Sequence, residues 1–296
     1  MTRRRATHAG SWYSDGKNKL DSELGKWLNH ADTPVTAARA IISPHAGLAY
    51  CGETGAHGFK SINPATTSRI IVLGPSHNRY LSGCALSKCS KFETPLYDLT
   101  TDSETVSELY KSELFTDFDV YDDENEHSLE MQYPYIAKVM EGYKDNFKIV
   151  SIIVGDVSGD HAKQYAKVLE PLLADPHTVF VISSDFCHWG SRFSYCNVNG
   201  ENDIPIWQAI TKLDRLGMDT IESLNSNAFQ TYLSKTSNTI CGRRPILLLL
   251  ATIEEHSSRN PSSEAKFSFL HYSQSSRCVK KGDSSVSYAS GALTIS

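Results

Sequence analysis

Three histidines stand just beyond short apolar runs. His45 follows Ala40-Ile41-Ile42-Ser43-Pro44, His77 follows Ile70-Ile71-Val72-Leu73-Gly74-Pro75-Ser76, and His188 follows Val179-Phe180-Val181-Ile182-Ser183-Ser184-Asp185-Phe186-Cys187. Neutral imidazole is the commonest protein ligand for zinc, copper and iron, and it also serves as a general acid or base near neutral pH. Taken one at a time, each is equally a strand-end imidazole bonded to backbone. Asp185 adds a carboxylate to the His188 loop, or caps its turn, and Trp189-Gly190 beside it suits the wall of a ligand cavity. Cys241 lies just ahead of a helix start and is followed by Arg243 and Arg244. That setting favours a thiolate, which can be a ligand, a nucleophile or a redox sensor. His127 and Glu130 share a helix face at i and i+3, and offer either contacts to a substrate or a helix cap, with capping the preferred reading.

The elements that must deliver these groups are buried strands. Short, β-branched and nearly continuous apolar runs suit strands covered on both faces, as in a parallel sheet, whose carboxyl ends open into one crevice. Pro44 and Pro75 end their ladders just before the histidines. Helical periodicity follows Ser14-Asp15 (Leu20, Leu24, Trp27, Leu28), and a short helix is expected over 53–61 after a turn-rich His45 loop. The segment 83–99 reads as a hairpin excursion outside the sheet core. Helices are expected from Asp102 to about 112, from His127 to about 142 with Pro134 inside, and over 159–173, 203–215, 218–223, 226–235 and 246–256. Strands are expected over 147–154 and 178–183, a surface loop over 256–264, and two antiparallel closing strands over 266–273 and 284–294. The fold class is therefore α/β, a mixed, largely parallel central sheet with helices on both faces plus antiparallel C-terminal strands, in a single domain spanning 1–296.

Composition narrows the function. The chain has 296 residues, 40% hydrophobic and 21% charged, which suits an ordinary globular protein. A net charge of -5 argues against nucleic acid or an anionic membrane as partner, and Arg3-Arg4-Arg5 reads as a solvated terminus. No apolar h-region follows it, and the longest aliphatic run, 246–251, is too short to span a bilayer. Seven dispersed cysteines without Cys-x-x-Cys spacing point to a reducing, intracellular compartment.

Seven segments in order resemble the Memo family, named for mediating receptor-tyrosine-kinase-driven cell motility: His8-Ala9-Gly10-Ser11-Trp12-Tyr13, Pro44-His45-Ala46-Gly47, Leu73-Gly74-Pro75-Ser76-His77, Glu126-His127-Ser128-Leu129-Glu130, Ser183-Ser184-Asp185-Phe186-Cys187-His188-Trp189-Gly190, Cys241-Gly242-Arg243 and Ser284-Ser285-Val286-Ser287-Tyr288-Ala289. The resemblance implies a fold similar to class III extradiol dioxygenases, non-haem iron enzymes with two histidines and a carboxylate on the metal. Carried over, it makes His45 and His77 the histidine ligands, His188 the acid/base and His127 a substrate-contacting histidine. Cys241 stands where the dioxygenase pattern has a carboxylate, which counts against ring cleavage, with Asp185 available as a direct or outer carboxylate. The resemblance also implies an iron or copper cofactor, with zinc a further candidate, and an oxidant-producing oxidoreductase activity. It implies, in addition, recognition of a phosphotyrosine-bearing receptor tail or signalling adaptor, a link to the cytoskeleton, and a cytoplasmic location shared with the nucleus.

The leading expectation is thus a metal-binding, redox-active signalling protein with ligands His45, His77 and Cys241, catalytic His188, Asp185 and His127, and a cleft walled by Trp12, Tyr50 and Trp189. The alternative is a catalytically silent phosphotyrosine-peptide adaptor using the same cleft. A third, a cysteine hydrolase with Cys241 as nucleophile, His188 as base and Asp185 orienting it, leaves His45 and His77 without a role.

Overall fold

The structure, a computed structural model, describes residues 2–197 and 203–296. In chain order the strands are β1 (Arg3–Arg4), β2 (Ala40–Ser43), β3 (Arg69–Pro75), β4 (Cys84–Ser87), β5 (Lys91–Phe92), β6 (Leu99–Thr100), β7 (Phe115–Phe118), β8 (Lys148–Val154), β9 (Thr178–Ser183), β10 (His188–Trp189), β11 (Ala265–Gln274) and β12 (Ser285–Ile295). The α-helices are α1 (Lys17–His30), α2 (Leu48–Lys60), α3 (Ser103–Tyr110), α4 (Val120–Asn125), α5 (His127–Glu130), α6 (Tyr133–Val139), α7 (Gly159–Ala174), α8 (Ile206–Glu222), α9 (Ser226–Thr236) and α10 (Arg243–Arg259).

A nine-stranded mixed sheet organises them in the order β10-β12-β2-β9-β3-β8-β4-β7, with β11 on the other side of β12. The centre, β2-β9-β3-β8, is parallel, while β4 on β8 and β12 on β2 are antiparallel. Alternate residues of each central strand feed opposite cores. Ala40, Ile42, Ile71, Leu73, Phe180 and Ile182 face α7 and α10, and Ile41, Ile70, Val72, Val179 and Val181 face the side of α1, α2 and α6. Burial on both faces explains the unbroken apolar runs. At the outer edge of β11, the Glu222 carboxylate of α8 accepts the Phe269 N–H at 2.6 Å. No helix among the described residues is long and apolar enough to cross a membrane.

Several expectations change. The β4 strand lies wholly buried in the main sheet rather than in an excursion; only β5 and β6, joined to β1, form a separate small sheet. Helix α2 begins at Leu48, because Gly52 is a packing residue and not a turn: a Cβ there would meet the Trp27 ring at 2.6 Å. Pro75 remains in β3, since pairing with β9 stops at Leu73 while pairing with β8 continues to Pro75↔Val154. A single α8 replaces the two helices expected over 203–223, and the 127–142 helix divides into α5 and α6, with Pro134 in the first turn of α6. Helix α10 runs on to Arg259, so His256 is buried against Glu170 (2.9 Å) and not in a surface loop.

The arginine cluster is the largest departure. Arg4 is buried, with Asp123 Oδ1 at 2.7 Å and Glu130 Oε2 at 2.6 Å, and it also donates to the Asp123 and Glu126 carbonyls. Charges of residues so far apart in sequence pair only once the chain has folded.

Candidate metal centre

Strands β2, β9 and β3 lie side by side in parallel, so the loops after them leave from one end of the sheet. His45 and His77 come from the two strands flanking β9, about 10 Å apart at the backbone by ordinary strand spacing. Their side chains lean across that gap until the ring centroids are 5.1 Å apart. His127 enters from the first residue of α5, its ring stacked on His77 at 4.4 Å and edge-on to His45 at 5.4 Å. One donor atom from each of His45, His77 and His127 lies within 4.8 Å of the others.

Hydrogen bonds fix which nitrogen each ring presents. The Ser183 hydroxyl donates to the Ser128 carbonyl (2.6 Å), so it can only accept from His45 Nδ1 (2.7 Å). The proton therefore sits on Nδ1 of His45 and the Nε2 lone pair points into the site. Glu126 does the same for His77, accepting from Nδ1 at 2.9 Å and from the backbone N–H at 2.6 Å, while it also caps α5 through Ser128 N–H. Burial would raise the Glu126 pKa, yet the His77 contacts and backbone amides together carry it down to about 2, keeping it ionised. Burial, reinforced by its histidine neighbours, pushes His45 well below the usual range. Burial and the His77 charge lower His127 to about 4 against the pull of Glu126. The bonds to Ser183 and Glu126 turn Nε2 of His45 and of His77 toward the site, and the lowered pKa values leave His45 and His127 neutral, the form a cation requires. The donor set fits a first-row transition metal ion.

Cys241 reaches this cluster at one point, Sγ to His45 Nε2 at 3.0 Å, and accepts from Asp185 N–H at 3.2 Å. Gly242 lets this loop press against Ser184, where a Cβ would sit 2.3 Å from the Ser184 Cβ. The expected thiolate is not the resting form. Burial and the Asp185 carboxylate push the thiol up, outweighing Arg243, and Arg244 is spent on Asp156 at 2.6 Å. Asp185 is itself buried, which raises its pKa against the His188 charge, and its Oδ1 accepts the His45 N–H at 2.8 Å. His188 Nδ1 donates to the carbonyls of Phe186 (2.9 Å) and Thr239 (3.1 Å), leaving Nε2 as a base. Because His188 is held by those carbonyls and not by Asp185, the hydrolase triad is not assembled.

These groups floor a cleft of 590 Å³, lined by His45, His77, His127, Asp185 and His188 with Trp12, Tyr50, Phe193, Val286 and Tyr288 as walls. Trp12 packs on His127 at 4.5 Å and Tyr50 is 69% exposed at the rim. Trp189, expected in the cleft, is only 2% exposed and packs in the core instead, because β10 pairs with β12 and turns it inward.

The sequence reading missed three features. Arg192 lines the cleft, with its guanidinium over Phe193 at 4.6 Å. His8, assigned no role, bonds Glu130 at 2.8 Å and packs against Trp12. Glu126 clamps His77. Glu126 and His8 left a signal, as members of two of the seven family-like segments, and Arg192 left none.

The Memo-like protein family model matches residues 4–292. Protein MEMO1 of Danio rerio is 47% identical over 295 residues, covering 100% of this chain and 98% of the relative. Protein MEMO1 of Homo sapiens is 47% identical over 292 residues, covering 99% and 97%. The memo-1 homolog of Caenorhabditis elegans is 47% identical, covering 99% and 83%. An uncharacterized Escherichia coli K12 protein of known crystal structure aligns at a TM-score of 0.45 and 12% identity, over 85% of this chain and 98% of that one. On a family match and full-length relatives of this identity, the chain belongs to the Memo family.

Proposed function

We propose that the cleft is a metal centre for iron or copper, zinc being the third candidate, in a redox-active signalling protein. Its ligands are His45, His77 and Cys241, with Asp185 and His188 alongside. The observation that carries this reading is the convergence of imidazoles whose Nδ1 protons are tied down, so that Nε2 lone pairs meet in one cleft. A bound ion would supply Lewis acidity and, for iron or copper, one-electron chemistry. The chain's own groups do the rest: Ser183 and Glu126 orient the ligands, His188 Nε2 takes or gives a proton, and Trp12, Tyr50, Phe193 and Tyr288 wall the cleft. A sulfur ligand favours Cu(I), zinc or a redox-labile iron over ring-cleaving chemistry. Its family membership further supports a link to cell motility and the cytoskeleton and a cytoplasmic and nuclear location. Anaerobic titration of the apo-protein with Fe(II) and Cu(I) tests it. Saturable one-to-one binding, weakened at least about tenfold by His45→Ala, is expected; no binding of either ion would remove the proposal.

A second reading is a phosphotyrosine-peptide adaptor, favoured by Arg192, a guanidinium without an acidic partner among the described residues, in a cleft that Ser275 and Ser284 also line. It requires metal-free protein to bind a phosphotyrosine peptide and Arg192→Ala to abolish the preference over the unphosphorylated peptide. Equal binding of the two peptides by the wild type would exclude it.

A further inference from the structure

We infer that the turn between β11 and β12 is a docking element for an anionic lipid surface, and that it brings the mouth of the cleft to the headgroup plane. The inference stands apart from the chemistry of the cleft and needs neither reading of it.

The turn, residues 275–284, stands beside the cleft, which Ser275, Ser284 and Ser285 line at its base. It is fastened in its middle and across its tip. Cys278 is fully buried, and its carbonyl accepts the Trp207 N–H of α8 at 3.0 Å. The Asp283 carboxylate accepts the N–H groups of Val279 (2.8 Å) and Lys280 (2.9 Å), and the Asp283 N–H donates to the Lys280 carbonyl at 3.0 Å. That closed turn holds Val279 out in water, 63% exposed, with Lys280 and Lys281 exposed next to it. Arg277, also exposed, lies over the Trp207 ring at 4.9 Å. Arg192 comes from the neighbouring loop, which is drawn in by Gly190: a Cβ there would sit 2.7 Å from the Ser284 Cβ. None of these four cations has an acidic partner among the described residues.

An apolar side chain projected among unpaired cations selects the partner. Nucleic acid or an acidic protein segment rewards the cations and leaves Val279 in water. A bilayer surface rewards both: Val279 enters the acyl boundary, while the lysines lay their stems along it and keep their ammonium groups among anionic headgroups. The chain's net charge of -5 does not oppose this, because charges more than about 10 Å from the surface are screened at 0.1 M salt. Within 275–284 the only acid is Asp283, whose carboxylate is already engaged by the turn. With the turn docked, the serines at its base set the cleft mouth against the headgroups, so a ligand of the cleft arrives from the membrane surface.

The test is cosedimentation of the full chain with vesicles of phosphatidylcholine and phosphatidylserine in equal parts, beside vesicles of phosphatidylcholine alone. The wild type is expected to partition onto the mixed vesicles, less so as salt rises, and to ignore the neutral ones. Replacing both lysines, Lys280→Ser with Lys281→Ser, should lower partitioning roughly thirtyfold, the worth of two cations at an anionic surface. Val279→Ser should lower it at least about threefold. All three side chains are exposed, so an unchanged melting temperature is expected to accompany the losses. Equal partitioning onto both kinds of vesicle, or onto neither, overturns the inference. So does a loss with the lysine pair but none with Val279→Ser, which would assign the turn to an acidic protein or a nucleic acid.

Discussion

At the scale of single residues, much of the site's character comes from side chains that touch no ligand. Ser183 is the clearest case. Its one hydroxyl proton is committed to Ser128, it also accepts from Gln132 at 3.0 Å, and by that constraint it decides which face of the His45 ring is basic. Replacing it by alanine removes the reason for Nδ1 protonation and leaves Gln132 short of an acceptor. Ser183→Ala is therefore expected to lower metal affinity by about 10–100-fold, the usual cost of losing such a partner, with secondary structure intact. Isothermal titration with Zn(II) beside a circular dichroism spectrum checks this, and an unchanged affinity would show that the tautomer is fixed by other means. Ser183 was visible in the sequence only as the last residue of a strand; its role depends on Ser128, 55 residues away.

At the scale of elements, the N-terminal arm and the α4–α5 segment form one unit around buried charge. Glu130 accepts from Arg4, the His8 backbone and ring, and Tyr13, and the arm so anchored carries Trp12 onto His127. Burial would raise Glu130, but these donors hold it down at about 2. Taking Arg4 away strands two carboxylates out of water. Arg4→Met is expected to destabilise the protein by about 3–5 kcal/mol and to loosen the arm, whereas Arg5→Met, whose side chain is largely exposed, should cost far less. Urea unfolding and limited proteolysis distinguish them; equal effects would mean that the arm does not depend on the buried pair. This is also where sequence reading stops. The strands ending at His45, His77 and His188 were legible because apolar runs and prolines are local signals that constrain the backbone where they stand. The burial of Arg4, the insertion of β4 into the sheet and the inward turn of Trp189 depend on pairings across many residues, for which no local pattern exists.

At the scale of the whole molecule, a buried carboxylate ties distant parts together. Asp214 on α8 accepts from the Cys187 N–H (3.3 Å), Asn238 (2.9 Å) and Tyr272 (2.8 Å), thereby linking the His188 loop, the approach to Cys241 and β11. Burial raises its pKa from 3.8 to about 6 in spite of those donors. The native state therefore holds this proton more tightly than the unfolded chain. Below the unfolded value both states are protonated and the group is neutral to stability; as pH rises from about 4 to about 6 the stability falls, by roughly 3 kcal/mol in all, and then levels off. Asp214→Asn should abolish that part of the slope in melting temperature against pH, and a slope identical to the wild type would show that Asp214 is not its source. The same helix has a second long-range effect, at the rim of the sheet. With Glu222 occupying the Phe269 amide, one rung that a foreign strand would need is already taken, and a negative charge stands beside it. Adding a strand from another molecule would require expelling that carboxylate first, so the long outer strand is guarded against self-association without being covered.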